Sequence, residues 1–234
     1  MIRTAAAVPY TPRWAPLLEI ATIASALIAT GMALVWAPPD AVQGQVQRIM
    51  YVHVPSAWTA YVAFFIVFVA SIGWLWTKRL VFDAIAVSSA EIGVLLTGLT
   101  LIAGSIWAKP TWGVWWTWDP RLVTTAVMFV MYVGYLLVRS LSSDLEGRAT
   151  RAAVLGIVFV VNIPIVHLSV LWMNSIHQLP TILRAGGDPT LDDRMLATLM
   201  VSLTAFTFLY AWMMVGRVAI ERARQERIVA ARGR

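Results

Sequence analysis

The chain has 234 residues, 59% of them hydrophobic and only 13% charged, with a formal net charge of +6. No soluble core of this length hides so much apolar surface, and the excess charge lies between apolar runs and in the tail, which argues against nucleic acid as a partner. Cysteine is absent, which excludes a disulfide, a thiol relay, a cysteine-ligated metal and covalent cofactor attachment through C-x-x-C-H.

Six continuously apolar stretches follow one another at 17–36, 57–77, 84–107, 122–138, 152–172 and 195–216. A hydrocarbon core about 30 Å thick needs roughly 20 helical residues at about 1.5 Å rise each, so each stretch is long enough, or nearly so, to span it. The runs do not alternate, and a lone strand in lipid leaves its backbone unpaired, so helices are expected. The predicted architecture is all-α: a polytopic membrane protein with six transmembrane helices forming one domain over 1–234. An outward Trp-rich loop at about 108–121 and a basic tail at about 217–234 complete it. The opening "MIRTAAAVPYTPRWAPLLE" has basic residues. The apolar run behind it is too long for a signal-peptide core, and "WAPPD" makes a poor cleavage site, so a retained first helix is expected.

Orientation follows from the basic residues. Arg3, Arg13, Lys78, Arg79, Arg139, Arg148, Arg151, Arg217, Arg222, Arg224, Arg227, Arg232 and Arg234 fall on the side of the N-terminus. Arg48, Lys109, Arg121, Arg184 and Arg194 fall on the other. Thirteen against five places both termini in the cytoplasm under the positive-inside rule and turns the Trp-rich loop outward.

Along the chain, the first outward segment, 37–56, runs "PPDAVQGQVQRIMYVHVPS" after its first alanine. Val46, Ile49, Met50 and His53 stand at i, i+3, i+4 and i+7, the pattern of a short interfacial helix with His53 on its apolar face. Glu91 lies within the third span, where an ionisable residue is a functional candidate; pairing with Ser88 or reaching the cytoplasmic rim is the structural alternative.

The second outward segment, "KPTWGVWWTWDPR" at 109–121, holds four of the chain's 12 tryptophans. Six others, Trp14, Trp36, Trp58, Trp107, Trp172 and Trp212, lie near span ends as an interfacial belt requires. Trp112, Trp115, Trp116 and Trp118 are crowded into one loop instead. At about 150–250 Å² each they form a patch near or above the roughly 300–600 Å² usual for the largest patch on a monomer, so lipid, another loop or a flat ligand must cover it. Asp119 suits the N-cap of the fourth helix, with Pro120 at its first position.

His167, in "NIPIVHLSV", lies inside the fifth span three residues after Pro164, where a packing or kink-satisfying role is the simpler reading. The third outward segment, "MNSIHQLPTILRAGGDPTLDDR", carries His177 ahead of Pro180 and a "GGDP" turn. Two of the chain's three histidines, His53 and His177, thus flank the aromatic loop. A pair so placed fits a planar metal macrocycle with one axial ligand from each side, although a single membrane histidine is more often a packing residue. Arg48, Lys109, Arg121 and Arg184 are the nearby cations for a macrocycle's carboxylates, and each is equally readable as a solvated rim charge. The tail "RVAIERARQERIVAARGR" suits anionic lipid headgroups or a cytoplasmic partner. No Walker A loop is present, so any ATP dependence belongs to a partner.

"WGVWWTWDPRL" resembles the WGxWWxWD signature of haem-handling membrane proteins with a WWD domain. The length, the six spans, "MYVHVPSAW" before the signature and "SVLWMNSIHQ" after it resemble the CcmC family of system I cytochrome c maturation, over nearly the whole chain. The resemblance implies a carrier in the bacterial inner membrane, not an enzyme. It implies His53 and His177 as axial ligands of non-covalently bound haem b, with Trp112, Trp115, Trp116, Trp118 and Asp119 in the haem-binding loop beside Arg48, Lys109 and Arg121. It further implies delivery to the periplasmic chaperone CcmE, and a complex with the ABC subunits CcmA and CcmB and the small protein CcmD. In "LWMNSIHQ", Met173 stands where the family is expected to carry a second tryptophan. A b-type cytochrome subunit passing electrons to quinone, or a haem-free transport or assembly subunit, are the rival readings.

Overall fold

A computed structural model describes residues 12–141, 144–178 and 191–232. Arg184, Pro180 and the "GGDP" turn lie outside the described residues. Among the described residues, six segments are long and apolar enough to cross a membrane: Ala15–Trp36, Gln45–Thr77, Leu80–Trp112, Pro120–Ser140, Leu145–Trp172 and Asp193–Ala231. The protein is a multi-pass all-α membrane protein, as the hydropathy pattern predicts.

The first span is α1 (Ala15–Gly31), closed by a wide turn over Met32–Trp36. Its outer face is exposed from Leu17 to Leu34 and its packing is against the last helix, so it is peripheral to the bundle. A 3-10 turn, Gln45–Ile49, runs straight into α2 (Met50–Thr77). This revises the expectation of a separate interfacial helix: His53 sits in the first turn of a membrane-spanning helix. Lys78 closes α2 in the left-handed region, and with Arg79 forms the tight connection to α3 (Leu80–Trp112).

At 33 residues, α3 measures about 50 Å and outruns the hydrocarbon core. It carries Lys109, Pro110 and Trp112 on its last turns, where the sequence pattern expects a loop. The Trp-rich connection therefore shrinks to 113–119. Asp119 caps α4 (Pro120–Ser140), accepting the Arg121 N–H at 2.9 Å, with Pro120 in the first turn.

The fifth span breaks into α5 (Leu145–Phe159) and α6 (Asn162–Trp172). Pro164 supplies the cause, since its missing N–H frees a carbonyl one turn earlier, where Val160 and Val161 leave the helix. The sixth span is α7 (Asp193–Arg232), which continues well beyond the length a bilayer needs.

Helices α2, α3, α5 and α7 pack around a shared core, with α4 against α3, α5 and α6. Close approach depends on small residues: a Cβ on Gly156 would fall 2.6 Å from Ser71 Oγ. Phe64 and Tyr132 stack at 3.5 Å between centroids, and Ser89 donates to the Ala63 carbonyl at 2.6 Å. At the end of the bundle away from the Trp-rich connection, Arg139 grips Asp83 at 2.5 and 3.0 Å, Gln225 donates to Asp83 at 2.9 Å, and Arg148 meets Glu221 at 3.4 Å, all buried. The basic tail is thus partly docked, one face of α7 locking onto α3 and α5, with Arg139 of α4 held by the same Asp83. Glu91 pairs not with Ser88 but with Arg217 of α7, whose Nε donates at 2.8 Å, and both side chains are about a third exposed.

Candidate functional site

At the tryptophan end, between α2 and α3 on one side and α4 and α6 on the other, lies a cavity of about 440 Å³. That volume falls within the roughly 300–1,000 Å³ of small-molecule sites. All three histidines of the chain line it.

His53 is held from several directions. Its Nδ1 lies 3.0 Å from the Thr100 carbonyl, so the proton resides there and Nε2 keeps its lone pair. The Ser56 hydroxyl donates to the His53 carbonyl at 2.8 Å, and Trp107 meets the ring edge-on at 5.7 Å. Gly104 makes the room: a Cβ there would stand 2.8 Å from His53 Cε1.

Gly113, at φ 79°, ends α3 in a conformation only glycine adopts readily, and Lys109 Nζ folds back onto its carbonyl at 2.9 Å. The turn brings Trp112 and Trp116 to the cavity wall, together with Trp58 and Trp107, which the sequence pattern assigns to the belt. Trp115 and Trp118 do not line it. They are 57% and 85% exposed, and Trp118 leans edge-on against Trp116 at 6.2 Å.

Met173 leaves α6 in extended conformation and starts a helix-free segment through His177. Asp119 ties this segment down. Besides capping α4, its second oxygen accepts from the Ser175 hydroxyl at 2.7 Å and the Ile176 N–H at 2.8 Å. Ser175 Oγ in turn accepts the His177 N–H at 3.1 Å. Burial would raise the Asp119 pKa, but these donors and the neighbouring His177 outweigh it and hold the carboxyl below its ordinary value. Asp119 is 5% exposed and does not line the cavity, which places it behind the site as a brace.

His177 meets Trp112 edge-on at 6.1 Å. Its Nδ1 faces the Gln178 carbonyl at 3.1 Å and Arg121 Nη1 at 3.5 Å. Burial and then the Arg121 guanidinium push its pKa below the ordinary histidine value, with the Gln178 carbonyl and Asp119 partly offsetting them. The ring is therefore neutral at pH 7, the state that ligates metal.

Of the cations, Arg121 reaches the cavity and donates to the His167 carbonyl at 2.8 Å. Arg48 does not line it; its guanidinium is engaged by the Gln45 side chain and the Ala33 and Ala37 carbonyls. Lys109 also stands outside the lining. Two participants escape the sequence reading. Tyr61 lines the deep end, and His167, assigned there to a kink, faces the same space with its ring edge-on to Tyr61 at 6.5 Å. The signal for Tyr61 is present in the sequence: His53, Ala57, Ala60 and Tyr61 stand at i, i+4, i+7 and i+8, one face of a helix.

Fold and site together define a multi-pass membrane protein with an aromatic, histidine-lined cavity at one end of its bundle, suited to a flat ligand that accepts imidazole nitrogen. The family model described as CcmC, Heme exporter protein C, matches residues 3–232. The chain belongs to this family. It is 38% identical over 201 residues to the Heme exporter protein C of Bradyrhizobium diazoefficiens, covering 86% of this chain and 75% of that one. It is 37% identical over 205 residues to that of Haemophilus influenzae, covering 86% and 82%. The protein of the same name in Escherichia coli K12 is 37% identical over 179 residues, 75% of this chain and 72% of its own.

Proposed function

We propose that the protein carries haem b, bound without covalent attachment, with His53 and His177 as its two axial ligands. One observation carries this reading. Two histidines far apart in sequence line one cavity, and each has its Nδ1 beside a backbone carbonyl, at 3.0 and 3.1 Å, so that Nε2 is the nitrogen left for iron. Trp112 and Trp116 supply flat apolar walls, Arg121 offers a cation for a propionate, and Asp119 fixes the loop. Arg48 and Lys109, expected beside the site, stand outside its lining, which leaves Arg121 as the cation at the cavity among the described residues. Two axial histidines leave no open iron position for oxygen chemistry, so the role is carriage.

The cavity end faces the periplasm of the inner membrane and both termini are cytoplasmic, as the basic-residue count argues. Trp115 and Trp118, exposed beside the cavity, form the contact for the acceptor, the chaperone CcmE. The protein works within a complex with CcmA, CcmB and CcmD, with ATP hydrolysis in the partner. The test is the visible absorption spectrum of purified protein for wild type, His53→Ala and His177→Ala, with and without imidazole. Haem depletion in each variant and recovery with imidazole are expected. A wild type that takes up no haem ends the reading.

A second reading has one observation in its favour: His53 and His167 both lie within spans and line the same cavity, as a b-type electron-transfer subunit would need. Rapid reduction of the bound haem by quinol would select it.

A further inference from the structure

The two histidines are held in different ways. His53 stands on a continuous helix of 28 residues, its Nδ1 proton has one partner, the Thr100 carbonyl, and Gly104 leaves its ring just enough space. Nothing in that arrangement offers a second state.

His177 stands on a segment without helix, and its Nδ1 has two partners that exclude each other. With the proton on Nδ1, the ring donates to the Gln178 carbonyl, and the Nε2 lone pair is available. Without it, Nδ1 accepts from Arg121, the proton sits on Nε2, and that nitrogen has no lone pair for a metal. What holds the segment in place is Ser175, whose hydroxyl accepts the His177 N–H and donates to Asp119, together with the Ile176 N–H on the same carboxylate oxygen.

We infer that the two axial positions are inequivalent, His53 being the permanent anchor of the cargo and His177 the exchangeable ligand, with Asp119 and Ser175 as positioning residues that set how readily His177 lets go. The inference rests on the ligand assignment proposed above. In the exchange, the bond between iron and His177 Nε2 breaks, the nitrogen keeps its electron pair, and a donor atom from the acceptor takes the vacated position. No electron is transferred. The anchor bond to His53 persists meanwhile, so the cargo is never without a ligand. The released ring gives its Nδ1 proton to solvent water, Nε2 takes one from it, and Arg121 stabilises this tautomer, which cannot rebind at once. Because the exposed Trp115 and Trp118 belong to the connection that ends at Asp119, an acceptor pressing on them acts on the brace of His177 and not on His53.

The experiment compares ligand-exchange rates in the full-length protein purified in detergent with haem. Carbon monoxide binding to the reduced protein, read by stopped-flow absorbance, reports how fast an axial histidine leaves. Ser175→Ala and Asp119→Asn should speed it by about tenfold, the factor expected for losing a hydrogen bond to a carboxylate. Ser175→Thr, which keeps the hydroxyl, should restore the wild-type rate. His177→Ala should retain several-fold more haem than His53→Ala, with a high-spin spectrum that imidazole converts to low-spin. Equal retention in the two histidine variants, or exchange rates that ignore Ser175 and Asp119, would overturn the inference while leaving the ligand assignment standing. If both histidine variants keep the wild-type low-spin spectrum, the assignment itself falls and the inference falls with it.

Discussion

The two ends of the bundle both bury charge, and they treat it oppositely. At the tail end, Asp83 with Arg139 and Glu221 with Arg148 form ion pairs, Gln225 joins Asp83, and the set ties four helices together, with Arg148 Nε alone left unpartnered and away from any cavity lining. At the tryptophan end, Arg121 makes no ion pair among the described residues, its Nε has no partner, and its other nitrogens reach one backbone carbonyl and one imidazole. Ser56, Thr100 and Gly104 there position a histidine ring instead of joining helices. A buried charge whose partners are all protein is structural. One that keeps donors free at a cavity is poised for a ligand.

Breaking the tail end should have the largest effect on stability. Arg139→Ala leaves Asp83 buried with only Gln225, and removal of one partner from such a pair is typically destabilising by about 3–5 kcal/mol. Thermal unfolding in detergent should show the loss, and the protein that survives should keep an unaltered haem spectrum. If its spectrum changes too, the two ends are coupled and the contrast fails.

Gly104→Ala strikes the cavity end. The added methyl carbon would meet His53 at 2.8 Å, and overpacking of this kind is unfavourable by about 1–3 kcal/mol. The expected signature is loss of low-spin haem well beyond any fall in thermal stability, read by comparing the two on one preparation. Tyr61→Phe, at the deep end, removes one hydroxyl from the lining and should weaken haem retention less than tenfold, a modest change that equilibrium titration with haem resolves.

Trp118→Ala should move stability by less than about 0.5 kcal/mol, because the side chain is 85% exposed. It should leave haem content unchanged and reduce transfer to the acceptor. The smallest effect is in pH. Since His177 is held below its ordinary pKa, near 6.5 in model peptides, protons do not compete for it until the medium is more acidic than that. The low-spin spectrum should therefore persist from pH 7 through pH 6 and fade only on further acidification; a midpoint at or above 6.5 would refute the shift.

Much of this was readable from the residues. Six apolar runs specify six crossings because lipid leaves a backbone no other partner, and "WWTWDP" locates both an aromatic cluster and a helix cap. Helix ends were not readable to the same degree. The third apolar run ends at Trp107, yet α3 continues to Trp112 and carries that ring to the cavity. Likewise "QVQRIMYVHVP" shows helical spacing, but nothing local says that its helix is the start of the second span.

The sequence by itself determined the class of protein, the number of crossings, the aromatic loop and the histidines beside it, since hydropathy and capping are properties of neighbouring residues. Only the tertiary structure decided which groups meet. His167 and Tyr61 join the cavity, Trp115 and Trp118 stay outside it, Asp119 braces a segment more than fifty residues away, and Glu91 finds Arg217. Such pairings depend on the order in which helices pack, and no local pattern in the chain encodes a partner so distant.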